Sequence, residues 1–223
     1  MTSDTWVEVA QLRRGLYRFL GGVFLPPSEE RVEGIVAAAG FLHDLGMEHF
    51  SYYTAWLRLL DVIDEMLDLQ ALEAEYIRLF ASGTDKALCP LNEAFFRTDA
   101  KSGESAKLVA DVQRHIQELG LSTAGAAESP DHLASELEVM SALCAREAGG
   151  WSRSDILVTD RVLKDEERFL RVHLSVWLPP FRARVASTSP ESFYGAAVEM
   201  THAFVLHDVD YLHATRTHLG GPA

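Results

Sequence analysis

The stretch Pro130-Asp131-His132-Leu133-Ala134-Ser135-Glu136-Leu137-Glu138-Val139-Met140 decides how this chain is read. Pro130 biases Ser129 away from helical geometry, and the apolar row Leu133, Leu137, Met140 and Cys144 that follows has helical spacing. A long helix therefore opens here. Asp131 has the chemistry of an N-cap, a short carboxylate that accepts orphan amide hydrogens. His132 and Glu136 are one turn apart, on the same face and beside the apolar row. Ionisable groups held next to apolar surface at a chain break mark a hinge, a binding site or both. Just upstream, Ser122 to Ser129 is small and polar, which is linker chemistry.

Working outward from that helix, nearly every segment has apolar residues at helical period, and alternating runs are lacking. A first helix is expected from about Asp4 to Gly21, stopped by Gly21-Gly22, and a second, capped by Ser28, to about Ala39. A third starts near Phe50, and a further apolar stripe runs from Leu69 to Phe80. From Thr84 to Lys101 the pattern lapses, with Pro90 enforcing extended backbone around Leu88-Cys89-Pro90-Leu91-Asn92-Glu93. Helix resumes from about Ser102 to Gly120. The helix after Pro130 should stop at Gly149-Gly150, and another should run from about Ser154 to Trp177, broken by Pro179-Pro180. The last helix spans Glu191 to about Leu212, with the tail after His213 frayed. The expectation is an all-α helical bundle, read as a single domain over 1–223. It has possible parts 1–120 and 131–223 joined by a hinge at 121–130, whose key residues are Glu128, Ser129 and Pro130.

Bulk composition narrows the function classes. The 223 residues carry 33 acids against 20 bases, a net charge of −13, which argues against a nucleic-acid partner because phosphate binding needs clustered Lys and Arg. No apolar run approaches the ~20 residues that span a bilayer, so no stable membrane insertion is expected. Met1 to Glu8 lacks the basic n-region of a signal peptide. Cys89 and Cys144, the only two cysteines, are most simply reduced thiols of a cytoplasmic protein.

Motifs that would carry catalysis are missing. Nine histidines occur without His-Glu-x-x-His, and the His132–Glu136 spacing, though usable for two ligands, stands alone; no metal site is expected. Ser135 and Ser141 lie inside a helix without a nucleophile elbow. Cys89, in an accessible loop beside Pro90, has no fixed base near it. A phosphate-cradling glycine loop is absent, and no cofactor is implied. What remains suits a peptide. Tyr76, Phe80, Leu88, Leu91, Phe95 and Phe96 surround the irregular loop, and Glu93 and Asp99 add negative charge. Apolar grooves rimmed by acids fit short basic-hydrophobic peptides, although aromatics at helical spacing equally make ordinary core. On that second account Tyr76 and Phe80 are packed, Phe95 and Phe96 are split between core and groove, and His173 with Trp177 form an internal packing pair.

Several motifs also fall into a familiar order: Glu75-Tyr76-Ile77-Arg78-Leu79-Phe80, a loop with Pro90 and Glu93, Pro130-Asp131-His132-Leu133, and Glu136-Leu137-Glu138-Val139-Met140. Phe169, His173-Leu174, Trp177, Phe181 and Phe193-Tyr194 follow. In this order the chain resembles the TorD/DmsD/NarJ-type redox-enzyme maturation chaperones over about residues 70–205. The resemblance implies a TorD-like helical bundle acting as a cytoplasmic chaperone, without covalent chemistry, for a molybdenum-cofactor oxidoreductase. Its partner would be the apo-enzyme, the twin-arginine leader peptide of that enzyme, or both. It further implies client or leader binding at Asp131 and His132, with Pro90, Asn92 and Glu93 as the loop element, and a linker able to hinge a domain-swapped homodimer. A carboxylate binding a leader guanidinium bidentately makes physical sense of Asp131. Two departures stand out. The family loop reads Pro-Pro-Tyr-Glu where this chain has Cys89-Pro90-Leu91-Asn92-Glu93, and the hinge proline is shifted by one, to Glu128-Ser129-Pro130. The alternatives are a helical metal- or cofactor-binding enzyme using His132, Glu136 and a distant carboxylate, and a structural subunit of an oxidoreductase complex.

Overall fold

Helical periodicity is realised throughout the residues described by the computed structural model, 3–66, 68–81, 87–97, 102–121 and 129–220. In chain order the helices are α1 (Ser3–Val23), α2 (Glu29–His43), α3 (Tyr53–Met66), α4 (Leu69–Tyr76), α5 (Glu93–Phe96), α6 (Ser102–Glu118), α7 (Leu133–Ser152), α8 (Ile156–Val172), α9 (Leu174–Thr188) and α10 (Phe193–Gly220). A π-helical turn, Ile77–Ala81, continues α4. Among the described residues there is no β-strand, only an isolated antiparallel bridge between Asn92 and His132. The fold is all-α, as the periodicity requires.

Helix α7 is the axis of the bundle. Leu133, Leu137, Met140 and Cys144 are all buried, and α1 lies along them through Leu16 and Leu20. The two helices come close where Gly21 faces the Ala134 carbonyl; a Cβ there would stand 3.6 Å from that oxygen and 3.7 Å from Leu137 Cβ. Helices α8, α9 and α10 close the other side, bringing Phe169, Trp177, Phe181 and Phe204 into one continuous hydrophobic cluster. That cluster draws on residues from both sides of the 121–130 segment. Each buried aliphatic or aromatic side chain contributes ~1.5–3 kcal/mol relative to exposure, which is why helices with modest individual propensity hold together.

Helix α2 ends at His43, past the expected Ala39, and four other boundaries differ from the periodicity reading, each for a tertiary reason. Helix α1 runs through Gly21-Gly22 to Val23, because packing against α7 outweighs the low propensity of glycine. Helix α7 likewise continues through Gly149-Gly150. A Cβ on Gly150 would meet Thr159 Oγ1 at 2.5 Å, so glycine there permits the close approach of α8 and does not stop α7. The expected single helix from Ser154 to Trp177 is divided at His173, and Pro179-Pro180 lie inside α9. Both prolines sit on its exposed side, where water can reach the carbonyls that lose their amide donors. Finally, the tail after His213 is helical to Gly220. Thr215 is buried, Arg216 pairs with Glu167, and the His218 ring packs against Trp6. The stop after α6 is as expected, with Gly120 in the left-handed region (φ 70°). The expected stop at Ser82-Gly83 and the linker residues 122–128, Glu128 among them, lie outside the described residues.

Candidate functional site

The two segments singled out for recognition, residues 90–93 and 131–132, meet. Asn92 and His132 form the isolated bridge, flanked by Glu93 N–H donating to the Asp131 carbonyl (2.9 Å) and Leu133 N–H donating to the Leu91 carbonyl (2.8 Å). Pro90, whose missing N–H suits a segment entering rather than inside a ladder, is buried just before it. Ser129 is exposed, and its carbonyl accepts from His132 N–H (2.9 Å), so the turn at Ser129-Pro130 is closed locally.

Asp131 and His132 are 2% and 4% exposed. Their roles differ from the capping expectation. His132 is the N-cap of α7, its Nδ1 accepting from Ala134 N–H at 3.1 Å. Asp131 reaches across instead, accepting from Ala94 N–H at 3.1 Å through Oδ2 and from Asn92 Nδ2 at 3.2 Å through Oδ1. It thus caps α5 in trans, where the N-cap residue Asn92 provides no side-chain cap of its own. Side-chain chemistry favours Asp131 as the α7 cap, but the bridge turns its carboxylate toward the loop.

Beneath this latch runs a buried polar chain. Glu93 is fully buried, with Oε1 accepting from Arg97 (3.0 Å) and Oε2 at 2.7 Å from His173 Nδ1. His173 Nε2 lies 3.2 Å from Asp111 Oδ2, and Asp111 pairs with Arg114 at 2.6 Å. On the other side Glu136 accepts from Trp177 Nε1 at 2.9 Å. Burial, followed by the neighbouring Glu93 charge, pushes the Glu136 carboxyl well above its usual range. Its Oε1 has no hydrogen-bond partner among the described residues, while a carboxylate oxygen of Glu93 lies within 4.8 Å of one of its own, a placement that favours the protonated acid. Glu136 is therefore a structural partner whose buried setting favours the neutral form. His173 and Trp177 are polar members of this chain as well as packed rings, which their one-turn spacing alone did not reveal. Farther out, burial lowers His115, assisted by the Arg114 cation; at Asp111 burial pushes upward, but the hydrogen bonds and charges of Arg114 and His173 together outweigh it and hold the carboxyl below the usual range.

The aromatics divide as expected. Tyr76 and Phe80 are core, Phe96 stacks on Trp177 at 5.7 Å, and Phe95 is 46% exposed beneath the Arg184 guanidinium. Cys89, expected to be accessible, is buried, with Sγ 3.9 Å from Thr188 Oγ1. Burial raises its thiol above the ordinary range, the opposite of an activated nucleophile. A groove of about 670 Å³ runs between α1 and α7, from Ala134 and Ser135 to Arg146, with Arg14, Arg18 and Glu138 on its rim.

A second buried cluster lies at the opposite end. Arg13 of α1 pairs with Glu147, Glu166 and Asp208, and Tyr17 donates to Asp208 at 2.5 Å. One cation thereby joins α1, α7, α8 and α10. A visible signal exists in the sequence: Arg13 interrupts the Val9, Leu12, Leu16 stripe of an otherwise apolar face. Among the described residues three groups bring His, Cys, Asp or Glu ligand atoms together: Asp111–His115–His173, Glu93–Glu136–His173 and Cys144–Glu147–Glu166. His132 belongs to none of them, so the pairing of His132 with Glu136 as ligands is not what the fold builds. Arg13 already occupies the third group, and Trp177 and Arg97 close the second.

Comparison with known proteins agrees with this architecture. The sequence family described as nitrate reductase delta subunit matches residues 51–183, more than half of the chain. The selenate reductase assembly chaperone protein of Thauera selenatis is 33% identical over 166 residues, spanning 72% of this chain and 83% of that protein. The chlorate reductase assembly chaperone protein of Ideonella dechloratans is 32% identical over 160 residues, spanning 68% and 77%. The chaperone protein TorD of Vibrio vulnificus is 28% identical over 168 residues, spanning 73% and 72%. In shape, the chain resembles an Archaeoglobus fulgidus protein described as a candidate redox enzyme maturation protein, with a TM-score of 0.50 at 20% identity over 90% of this chain and 93% of that one. No helix among the described residues is long and apolar enough to cross a membrane. With the family match and two relatives above 30% identity joined to the all-α fold, the chain belongs to the TorD-like family of redox-enzyme maturation chaperones.

Proposed function

We propose that this protein is a cytoplasmic assembly chaperone for a molybdenum-cofactor oxidoreductase, binding the apo-enzyme, its twin-arginine leader, or both, until the cofactor is in place and export can proceed. It does no covalent chemistry of its own. The observation that carries the reading is the latch. Residues 90–93 and 131–132, distant in sequence and both expected at the client site, are joined at the Asn92–His132 bridge. Relatives named as assembly chaperones of selenate and chlorate reductases support it.

In this reading Asp131 engages a leader guanidinium by exchanging its present donors, Asn92 Nδ2 and Ala94 N–H, for the charged fork of an arginine. Client binding then opens the latch, with Ser129-Pro130 and the linker before them as the hinge; the same linker would serve a domain-swapped homodimer. Calorimetric titration of the purified chain with a twin-arginine leader peptide and with an apo-molybdoreductase from the same organism should give saturable binding to at least one. Failure of both overturns the function. Asp131→Asn keeps an acceptor for Ala94 N–H but loses the charge, so it should weaken leader binding roughly tenfold or more at unchanged helicity, in line with ~1.5–3 kcal/mol for a charge-assisted bond. Unchanged affinity would remove Asp131 from the site while leaving the chaperone reading intact.

A structural subunit is the second reading, favoured by the family description as a delta subunit. Stable co-purification with the mature, cofactor-loaded enzyme would support it over a transient chaperone.

A further inference from the structure

Asp111 and His115 stand one turn apart on α6, and His173 reaches them from the break between α8 and α9. One ligand atom from each lies within 4.8 Å of the other two. The 3.2 Å from His173 Nε2 to Asp111 Oδ2 is already a spacing that neighbouring donors take around an ion with bonds of ~2.0–2.2 Å. The other ring nitrogen of His173 is 2.7 Å from Glu93 Oε2. A carboxylate in that position fixes the tautomer and ring orientation of a ligating imidazole, and it is the usual outer partner of a metal-bound histidine. A cation also sits there now. One guanidinium nitrogen of Arg114 is 2.6 Å from Asp111 Oδ1 and 3.2 Å from His115 Nε2, bridging the two α6 side chains. The Arg114 side chain is 43% exposed, so it has a route out to water.

We propose that Asp111, His115 and His173 form a binding site for a first-row divalent transition ion, with Glu93 as the outer carboxylate on His173 and Arg114 as the cation displaced. Two imidazoles and one carboxylate suit Zn²⁺ and its neighbours, against the all-oxygen preference of Mg²⁺ and Ca²⁺ and the thiolates that select Cu(I). The Asp111 side chain is 31% exposed, which leaves coordination positions to water. Bound there, the ion clasps α6 to the α8–α9 break, ahead of the 121–130 segment. The proposal does not depend on the chaperone reading: its three ligands lie outside the latch, only Glu93 is shared with it, and no client is needed.

The full-length chain, free of any affinity tag and stripped with chelator, is titrated with Zn²⁺ by calorimetry and with Co²⁺ by visible absorption. One tight equivalent is expected, with Co²⁺ d–d bands of a nitrogen–oxygen site. Asp111→Asn and His115→Gln should each weaken binding by at least ~10-fold, and Arg114→Ala, which removes the competing cation, should tighten it. No stoichiometric uptake overturns the proposal. So does equal affinity in the Asp111→Asn/His115→Gln double variant, which would place the ion on exposed histidines such as His213. If the double variant loses its helical spectrum, Arg114→Ala decides: tightened binding upholds the site, and unchanged or weakened binding overturns it.

Discussion

Replacing Arg13 with methionine would take the cation away from Glu147, Glu166 and Asp208 while keeping most of the stem volume. Burial opposes the Arg13 charge, but Asp208, Cys144, Glu166 and Glu147 together outweigh it and hold the guanidinium firmly protonated. The side chain is 5% exposed and its acidic partners are fully buried, so solvent screens the cluster little. Removing one partner of such a group costs ~3–5 kcal/mol, because the surviving acids are left unpaired and must either stay charged in the interior or take up protons. At ~2–4 °C per kcal/mol for a chain of this size, the melting temperature should fall by about 6–20 °C. The pH dependence supplies the sharper test. Burial already raises the Glu147 and Glu166 carboxyls, and without Arg13 they rise further. Above the unfolded value of ~4.3 the native variant then holds protons that the unfolded chain has released, so its stability falls with rising pH by ~1.4 kcal/mol per pH unit for each extra proton. The cost of Arg13→Met should therefore be smaller at about pH 5.5 than at about pH 8, measured by urea unfolding with helical circular dichroism. Adding Glu166→Gln, whose Oε1 counterpart already lacks a partner among the described residues, should recover part of the loss. A loss below ~1 kcal/mol at neutral pH, or one that grows as pH falls, would refute the reasoning.

Two further outcomes follow from the buried polar chain and from the packing of α7. Glu136→Gln mimics the neutral acid, with an acceptor for Trp177 and a donor for Glu93, so it should cost under ~1 kcal/mol, whereas Glu136→Leu orphans the indole N–H at ~1–3 kcal/mol. Because the native carboxyl is raised, wild type loses stability as pH climbs from ~4.3 through that raised value; the glutamine variant should lack this slope, and equal slopes in urea midpoints would disprove the shared proton. Gly150→Ala should destabilise by ~1–3 kcal/mol despite the better helix propensity of alanine, since its Cβ would meet Thr159 Oγ1 at 2.5 Å and Cα at 3.3 Å. Thr159→Ala should restore part of the loss in thermal melts, and a stabilised single variant would show that α7 and α8 have room to separate.

Read as a string of residues, the chain already specifies its helices, because apolar side chains at 3.6-residue spacing have only one way to bury a common face. It specifies the break at Pro130 and the lapse around Pro90 for the same kind of local reason, a missing amide hydrogen and a restrained neighbour. Bounds that depend on a neighbour were not legible. Gly149-Gly150 reads as a stop until Thr159 is seen against it, and the tail after His213 reads as frayed until Glu167 is seen to hold Arg216. The prolines at 179 and 180 look stronger than His173 as a break, yet the chain divides at His173, where Glu93 and Asp111 receive the ring from both sides.

The same division runs through the site. That Pro90, Asn92, Glu93, Asp131 and His132 belong together was suggested by the order of motifs. Which of them does what was a matter of tertiary structure alone. The antiparallel bridge turns Asp131 toward α5 and leaves His132 to cap α7, although by residue type Asp131 is the better N-cap of the two. Glu136 stood in the sequence as an acid one turn from a histidine; only its burial in the packed bundle, with Glu93 brought alongside, raises its carboxyl toward the neutral acid, against the hydrogen bond from Trp177. Periodicity is a property of one segment and is written in it, whereas the partner of a buried charge, and hence its protonation, is chosen by whatever element packs across it.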